Sequence, residues 1–385
     1  MPLDQEPVAR LRPSTPALTP FTLPERLQRW YAAAQANLAE PFKGISTDGT
    51  PRAGLFPANE AGPSCQPLVA AATAFLNSLS SEQAGKVCYP TDSDVWRAWN
   101  NMHPFIMRHG LGLHELTEPQ KDLALALVRE PLSEIAFDAV RNIMRLNHHL
   151  LEITGRDDEF NEWFYWLSIL GTPSSTEPWG WQIDGHHLTV SCYVSSGQIV
   201  LTPTFMGSEP VMARSGKYAG IRVFEAEEAQ GLALMQALNP EQQAKATIGM
   251  KIPTDVYAGA TFDNVVIPYH GVGFAEMTAH QQSLLRTLIR TYVCRLKEKY
   301  VGTKLDEVEQ HLAETYFAWI GHHDDDSVFY YRVHAPTILI EFDHQAGVAL
   351  VNPEPTRGHI HTMLRTPNGN DFGRALLRQH QGHMR

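Results

Sequence analysis

Residues 315–344 read TYFAWIGHHDDDSVFYYRVHAPTILIEFDH, and this stretch decides the fold. Residues 315–321, 327–334 and 337–343 are short runs rich in aromatic and β-branched side chains, which suit a pleated, half-buried surface. Gly321-His322-His323-Asp324-Asp325-Asp326 between the first two has turn composition. Ala335-Pro336 between the last two leaves room only for a reversal. The three strands therefore run up, down and up. That order sends Asp343 and His344 to the end that holds His322 and His323, and His334 to the opposite end.

Outward from there the same texture recurs. Residues 160–170 (FNEWFYWLSIL) form one strand segment, 186–194 (HHLTVSCYV) and 198–205 (QIVLTPTF) a hairpin, and 359–365 (HIHTMLR) a further short strand. Helical spacing runs through 24–40, 67–80, 117–155, 224–250 and 274–312, with Thr117 and Ser133 as caps and Gly155 as a C-terminal stop. Five prolines make residues 1–20 an extended arm. The expectation is an α+β protein: a mostly helical region over 21–155, packed on a mainly antiparallel sheet with helical insertions over 156–376, in one integrated domain with a 377–385 tail. No internal repeat is read from the sequence, and no Walker loop, dinucleotide fingerprint or G-x-S-x-G elbow occurs.

Composition narrows the function classes. The 385 residues carry a net charge of −11, against a nucleic-acid backbone as main partner. No apolar run is long enough to cross a membrane, and no secretion signal is read at the N-terminus. The four cysteines are scattered, which disfavours a disulfide framework or thiolate zinc site and makes the cytoplasm the expected compartment. Histidine stands out: six of the 18 fall between His322 and His361, where an even spread would put about two.

His359-Ile360-His361 carries the sharpest chemistry. Residues i and i+2 of a strand share a face, their Cα atoms about 6.6 Å apart, so both imidazoles can reach one metal ion. Gly321-His322-His323 and Gly185-His186-His187 lie at strand ends, and by alternation one histidine of each pair should face inward. Glu177, Asp184 and Asp324 are candidate general bases or acids, Trp179 and Trp181 a candidate substrate wall. Arg365 shares the His359/His361 face, where it could hold an anionic group or instead pair with Asp371.

Several longer motifs are similar to a known family. Leu170-Gly171-Thr172-Pro173-Ser174-Ser175-Thr176-Glu177-Pro178-Trp179-Gly180-Trp181, Pro203-Thr204-Phe205-Met206-Gly207, Tyr330-Tyr331-Arg332, Ile340-Glu341-Phe342-Asp343-His344 and His359-Ile360-His361-Thr362 resemble the family catalogued as domain of unknown function 3500, over roughly residues 25–375. The resemblance implies a family but no activity and no catalytic residue.

The chemistry of the residues therefore sets the expectation. It is a metal-dependent enzyme, in the first place a hydrolase of a small organic substrate. His359 and His361, with one or two of His186, His187, His322, His323 and His344, would hold a divalent metal, zinc first and iron or copper next. A metal-dependent oxidoreductase at the same histidines, a metal-free acid–base enzyme and a non-enzymatic ligand-binding module are the alternatives.

Overall fold

The structure, a computed structural model, describes residues 6–7, 25–59, 62–102, 107 and 109–383. It is α+β, 40% helical and 22% strand, around one large, mostly antiparallel sheet. Of the proline-rich arm only Glu6–Pro7 is described, paired with Leu350–Val351; the rest of that expectation lies outside the described residues.

The principal helices are α1 (Glu25–Ala39), α2 (Gln66–Asn77), α3 (Ser81–Val87), α4 (Glu118–Arg129), α5 (Glu134–Thr154), α6 (Glu225–Ala237), α7 (Pro240–Ala246), α8 (Ala279–Val293), α9 (Glu298–Gln310) and α10 (Arg374–His383). Ser133 caps α5 by accepting from the Ala136 N–H, and Gly155 ends it in the left-handed conformation. The expected C-terminal tail is thus largely α10. The principal strands are β1 (Tyr165–Leu170), β2 (Trp179–Gly185), β3 (Leu188–Ser195), β4 (Gln198–Val200), β5 (Thr204–Ser208), β6 (Tyr316–Gly321), β7 (Phe329–Ala335), β8 (Ile338–Gln345) and β9 (Thr356–Arg365). Across the sheet the order is β6-β7-β8-β9-β5-β3-β2-β1, with Val272–Gly273 beyond β6 and Cys88–Tyr89 beyond β1.

That order contains a strand not read from the sequence, and a symmetry. The segment from Glu177 to Asp184 is mostly a central strand, β2, with β1 on one side and β3 on the other. The chain also repeats itself, contrary to the reading of the sequence. Two helices, two short strands, two further helices and an antiparallel run of strands occur first over 66–208 and again over 225–365. The second copies of β1-β2-β3-β5 are β6-β7-β8-β9, and the halves join where β5 and β9 pair antiparallel. His109-Gly110-Leu111-Gly112 is matched by His270-Gly271-Val272-Gly273. Gly110 and Gly271 share a positive φ, and an added Cβ would strike the backbone of Leu167 and Phe317 respectively.

The two sheet faces differ. One carries Leu167, Ile169, Trp181, Ile183, Val190, Met206, Ile340, Phe342, Ile360 and Leu364, which pack with the helices into the main core. The other carries Gln182, Asp184, Thr189, Glu341, Asp343, His361 and Arg365, all buried. A smaller apolar cluster with Phe56, Trp96, Trp99, Val256 and Phe372 helps cover it. Buried polar groups need partners, so this second face is where chemistry can be built.

Candidate metal centre

His361 stands on β9 directly opposite Asp343 of β8 and Gly207 of β5. The Gly207 amide donates to the carbonyl of His187, in the β2–β3 turn, so His187, Gly207, His361 and Asp343 form a row across the sheet. Glycine is required in that row. A Cβ at Gly207 would lie 2.8 Å from the Ile360 carbonyl and 2.9 Å from Cδ2 of His361, with Cδ2 of His187 at 3.2 Å. The absent side chain lets two imidazoles approach from opposite sides.

Three rings converge there. Nε2 of His359 lies 3.0 Å from Nε2 of His187 and 3.1 Å from Nε2 of His361. Nitrogens bound to one ion at about 2.0–2.1 Å, with angles between 90° and tetrahedral, stand roughly 2.8–3.4 Å apart. All three residues are buried.

The outer ring nitrogens decide what the inner ones can be. Nδ1 of His359 is 2.7 Å from the Ala346 carbonyl, and Nδ1 of His361 is 2.9 Å from Oδ1 of Asp255. A carbonyl and a carboxylate only accept, so both Nδ1 atoms donate, and in the neutral tautomer that allows this Nε2 is the lone-pair nitrogen and faces inward. A proton on His187 Nε2 could serve its contact with His359. The His359–His361 contact would still set two lone pairs face to face, which a shared proton relieves for that pair and a metal ion for all three nitrogens at once. An outward Nδ1–H to a carbonyl or carboxylate is also how metal-ligating histidines are oriented.

Two buried glutamates hold those acceptors in place. Glu209 accepts the backbone N–H groups of Val348, Ala349 and Leu350, which fixes the loop that carries the Ala346 carbonyl. Glu341 accepts from the amides of Tyr257 and Ala258 and from the Tyr330 hydroxyl, which fixes the segment that carries Asp255. Asp343 lies behind His361, its Oδ1 4.0 Å from Nδ1. Burial first, then the charges of Asp255 and Glu341, push its carboxyl well above the ordinary aspartate range.

The match to a family can now be stated. The chain belongs to the family described as "Protein of unknown function (DUF3500)". That family's model spans residues 61–374 and so includes His187, His359 and His361. No curated protein and no solved structure matches the chain. Membership in the family adds no role to any residue, and the remaining candidates are placed by the structure alone.

Of the expected histidines, His359, His361 and His187 come together. His186 points away: Nδ1 is 2.7 Å from Oδ1 of Asn147, and its ring stacks on His187 at 4.0 Å between centroids. His344 is on the helix-packed face, accepting from the Phe329 N–H at Nδ1 and meeting Glu228 at Nε2. It does lie at the strand end near Gly321, as topology requires, while His334 pairs at the opposite end. His322, His323 and Asp324 occupy the β6–β7 turn, where His322 and Asp324 are exposed and His323 half-buried; they are not part of the cluster.

The candidate acids and aromatics also separate. Trp179 and Trp181 are fully buried in the helix-packed core, so they form no wall at the histidines. Glu177 is an exposed residue near the His380 ring. Arg365 shares the histidine face, but its guanidinium is used: Nε donates to Asp371 at 2.7 Å, Nη2 to Asp263 at 2.6 Å and Nη1 to the Ala258 carbonyl. Asp184 is on the histidine face, fully buried, with neither oxygen in a well-formed hydrogen bond. Burial raises its carboxyl to about 7, against smaller lowering effects of His109 and the Asn100 amide. Asp255, Glu209, Glu341 and Gly207 were not singled out in the sequence. Gly207 and Glu341 fall within motifs shared with the family but were given no role there.

Proposed function

We propose that this protein is a metal-dependent enzyme in which His187, His359 and His361 hold one divalent ion through Nε2. The observation that carries the reading is the 3.0 and 3.1 Å convergence of three Nε2 atoms, two of them on rings whose outer partners select the Nδ1–H tautomer. Three neutral imidazoles leave the ion its full charge and an open coordination position, which suits zinc acting on water or a carbonyl. Hydrolysis of a small organic substrate is therefore the reading. Asp255, accepting from His361 Nδ1, raises its ligand basicity, and Asp184 is the proton carrier nearest neutrality on that face.

The test is elemental mass spectrometry of the purified protein beside a His359→Ala/His361→Ala variant, followed by an ester, amide and lactone screen. About one zinc per chain, lost in the variant together with hydrolysis, is expected. Iron or copper at the same histidines would replace hydrolysis with oxygen-dependent chemistry. No metal after reconstitution would refute the reading.

A further inference from the structure

The internal repeat allows one buried position to be compared with its own copy. Gln182 on β2 and Arg332 on β7 stand three residues before the strand ends Gly185 and Ala335, opposite Ser191 and Glu341. Two residues further come Asp184 and His334, while His109 and His270 open the two matched His-Gly-x-Gly runs.

In the first half this position is fully wired. Gln182 donates to the Trp96 carbonyl and to Ser191, both at 2.9 Å, and its Oε1 is 3.0 Å from the His109 ring. In the second half a guanidinium fills it. Arg332 is 4% exposed, and Nη2 is buried without a hydrogen-bond partner among the described residues. The facing Glu341 accepts from Tyr257, Ala258 and Tyr330, and no hydrogen bond or ion pair joins it to Arg332 among the described residues. On the same strand face His334 is 2% exposed, with Nδ1 unpartnered. Tyr257 lies over the guanidinium at 5.9 Å, Tyr269 meets the His334 ring edge-on at 4.6 Å, and His270 is exposed and close enough to act on the His334 ring electrostatically. Glu341 opposite gives the guanidinium a through-space counter-charge but leaves Nη2 unbonded. A buried N–H without an acceptor is costly, and the planar fork of arginine matches an oxyanion.

We propose that Arg332, with His334 and His270, forms an anion-binding site for a small oxyanion, a carboxylate or inorganic phosphate. The guanidinium supplies the charge and a two-pronged donor. Burial first, then Arg332 and His270, pushes the His334 ring down to about 3, so near neutral pH it is an uncharged ring that offers one N–H. The site is built from second-half residues and does not depend on the metal centre.

Titration of the protein with inorganic phosphate, followed by 31P line broadening, and with 13C-formate tests this. Saturable binding in the millimolar range or tighter is expected. Arg332→Gln should abolish it. Arg332→Lys, which keeps the charge and loses the fork, should weaken it by roughly tenfold or more. His270→Ala, at an exposed position that leaves the core intact, should weaken it as well. The His359→Ala/His361→Ala variant should bind as the wild type does. No saturable binding up to about 50 mM of either anion would overturn the proposal. So would binding that survives Arg332→Lys unchanged, or that vanishes only with the centre's histidines.

Discussion

His187 is held at φ 60°, the left-handed region that costs a side chain with a Cβ roughly 1–2 kcal/mol. That conformation, fixed by the Asn101 carbonyl on its N–H and the Gly207 N–H on its carbonyl, turns the ring toward His359. His187→Gly should therefore leave the metal-free protein at least as stable as the wild type while removing metal binding, measurable by denaturant melts beside a metal titration. Gly207→Ala should lower metal affinity by tenfold or more, because its Cβ displaces one of the rings it would touch. Asp184 makes a stability prediction whose sign is fixed. Its folded carboxyl, near 7, lies above an unfolded value near 4, so the native state holds a proton that the unfolded state has lost between those values. That contribution is present below about pH 4 and is lost as pH rises toward 7, up to about 4 kcal/mol. Asp184→Asn should flatten this slope in denaturant midpoints measured between pH 4 and 8; parallel profiles would contradict it.

At the scale of elements, β9 supplies two of the proposed ligands and the β2–β3 turn the third, and loops aim them. β9 fixes the His359/His361 spacing, and Glu209 and Glu341 pin the two segments that accept the Nδ1 protons. Glu209→Gln replaces an acceptor of three amides by a group that also donates. Metal affinity should fall about 10–100-fold while the circular dichroism is kept; unchanged affinity would show that the loop holds without it. This division also explains what could be read in the sequence. The strand runs around 315–343 and the His-x-His of β9 were legible because period two is local. Strand β2 was not, because a strand buried on both faces shows no alternation and its tryptophans resemble a loop plug. Asp255 was not, because it joins His361 through a contact between residues 106 positions apart that no local pattern announces. His322 and His323 were over-read because a Gly-His-His turn looks the same whether it points into a site or into solvent.

At the scale of the whole molecule, the centre lies across the seam of a duplicated fold. His187 comes from the first half and His359 and His361 from the second, brought together by the β5–β9 pairing. Neither half should bind metal tightly when produced alone, and a first half ending at β5 should self-associate through its uncovered edge strand. A soluble monomeric half with full metal affinity would contradict this. The duplication escaped the sequence reading because the copies share backbone needs, such as the paired glycines Gly110 and Gly271, more than side chains, and each half then took its own polar residues at equivalent places. The most direct test of the centre itself is X-ray absorption at the edge of whichever metal the wild-type protein retains. A first shell of nitrogen or oxygen at about 2.0–2.1 Å with outer-shell scattering from three imidazoles, falling to two in His187→Ala, is the predicted result. A shell with one imidazole or none would contradict the account.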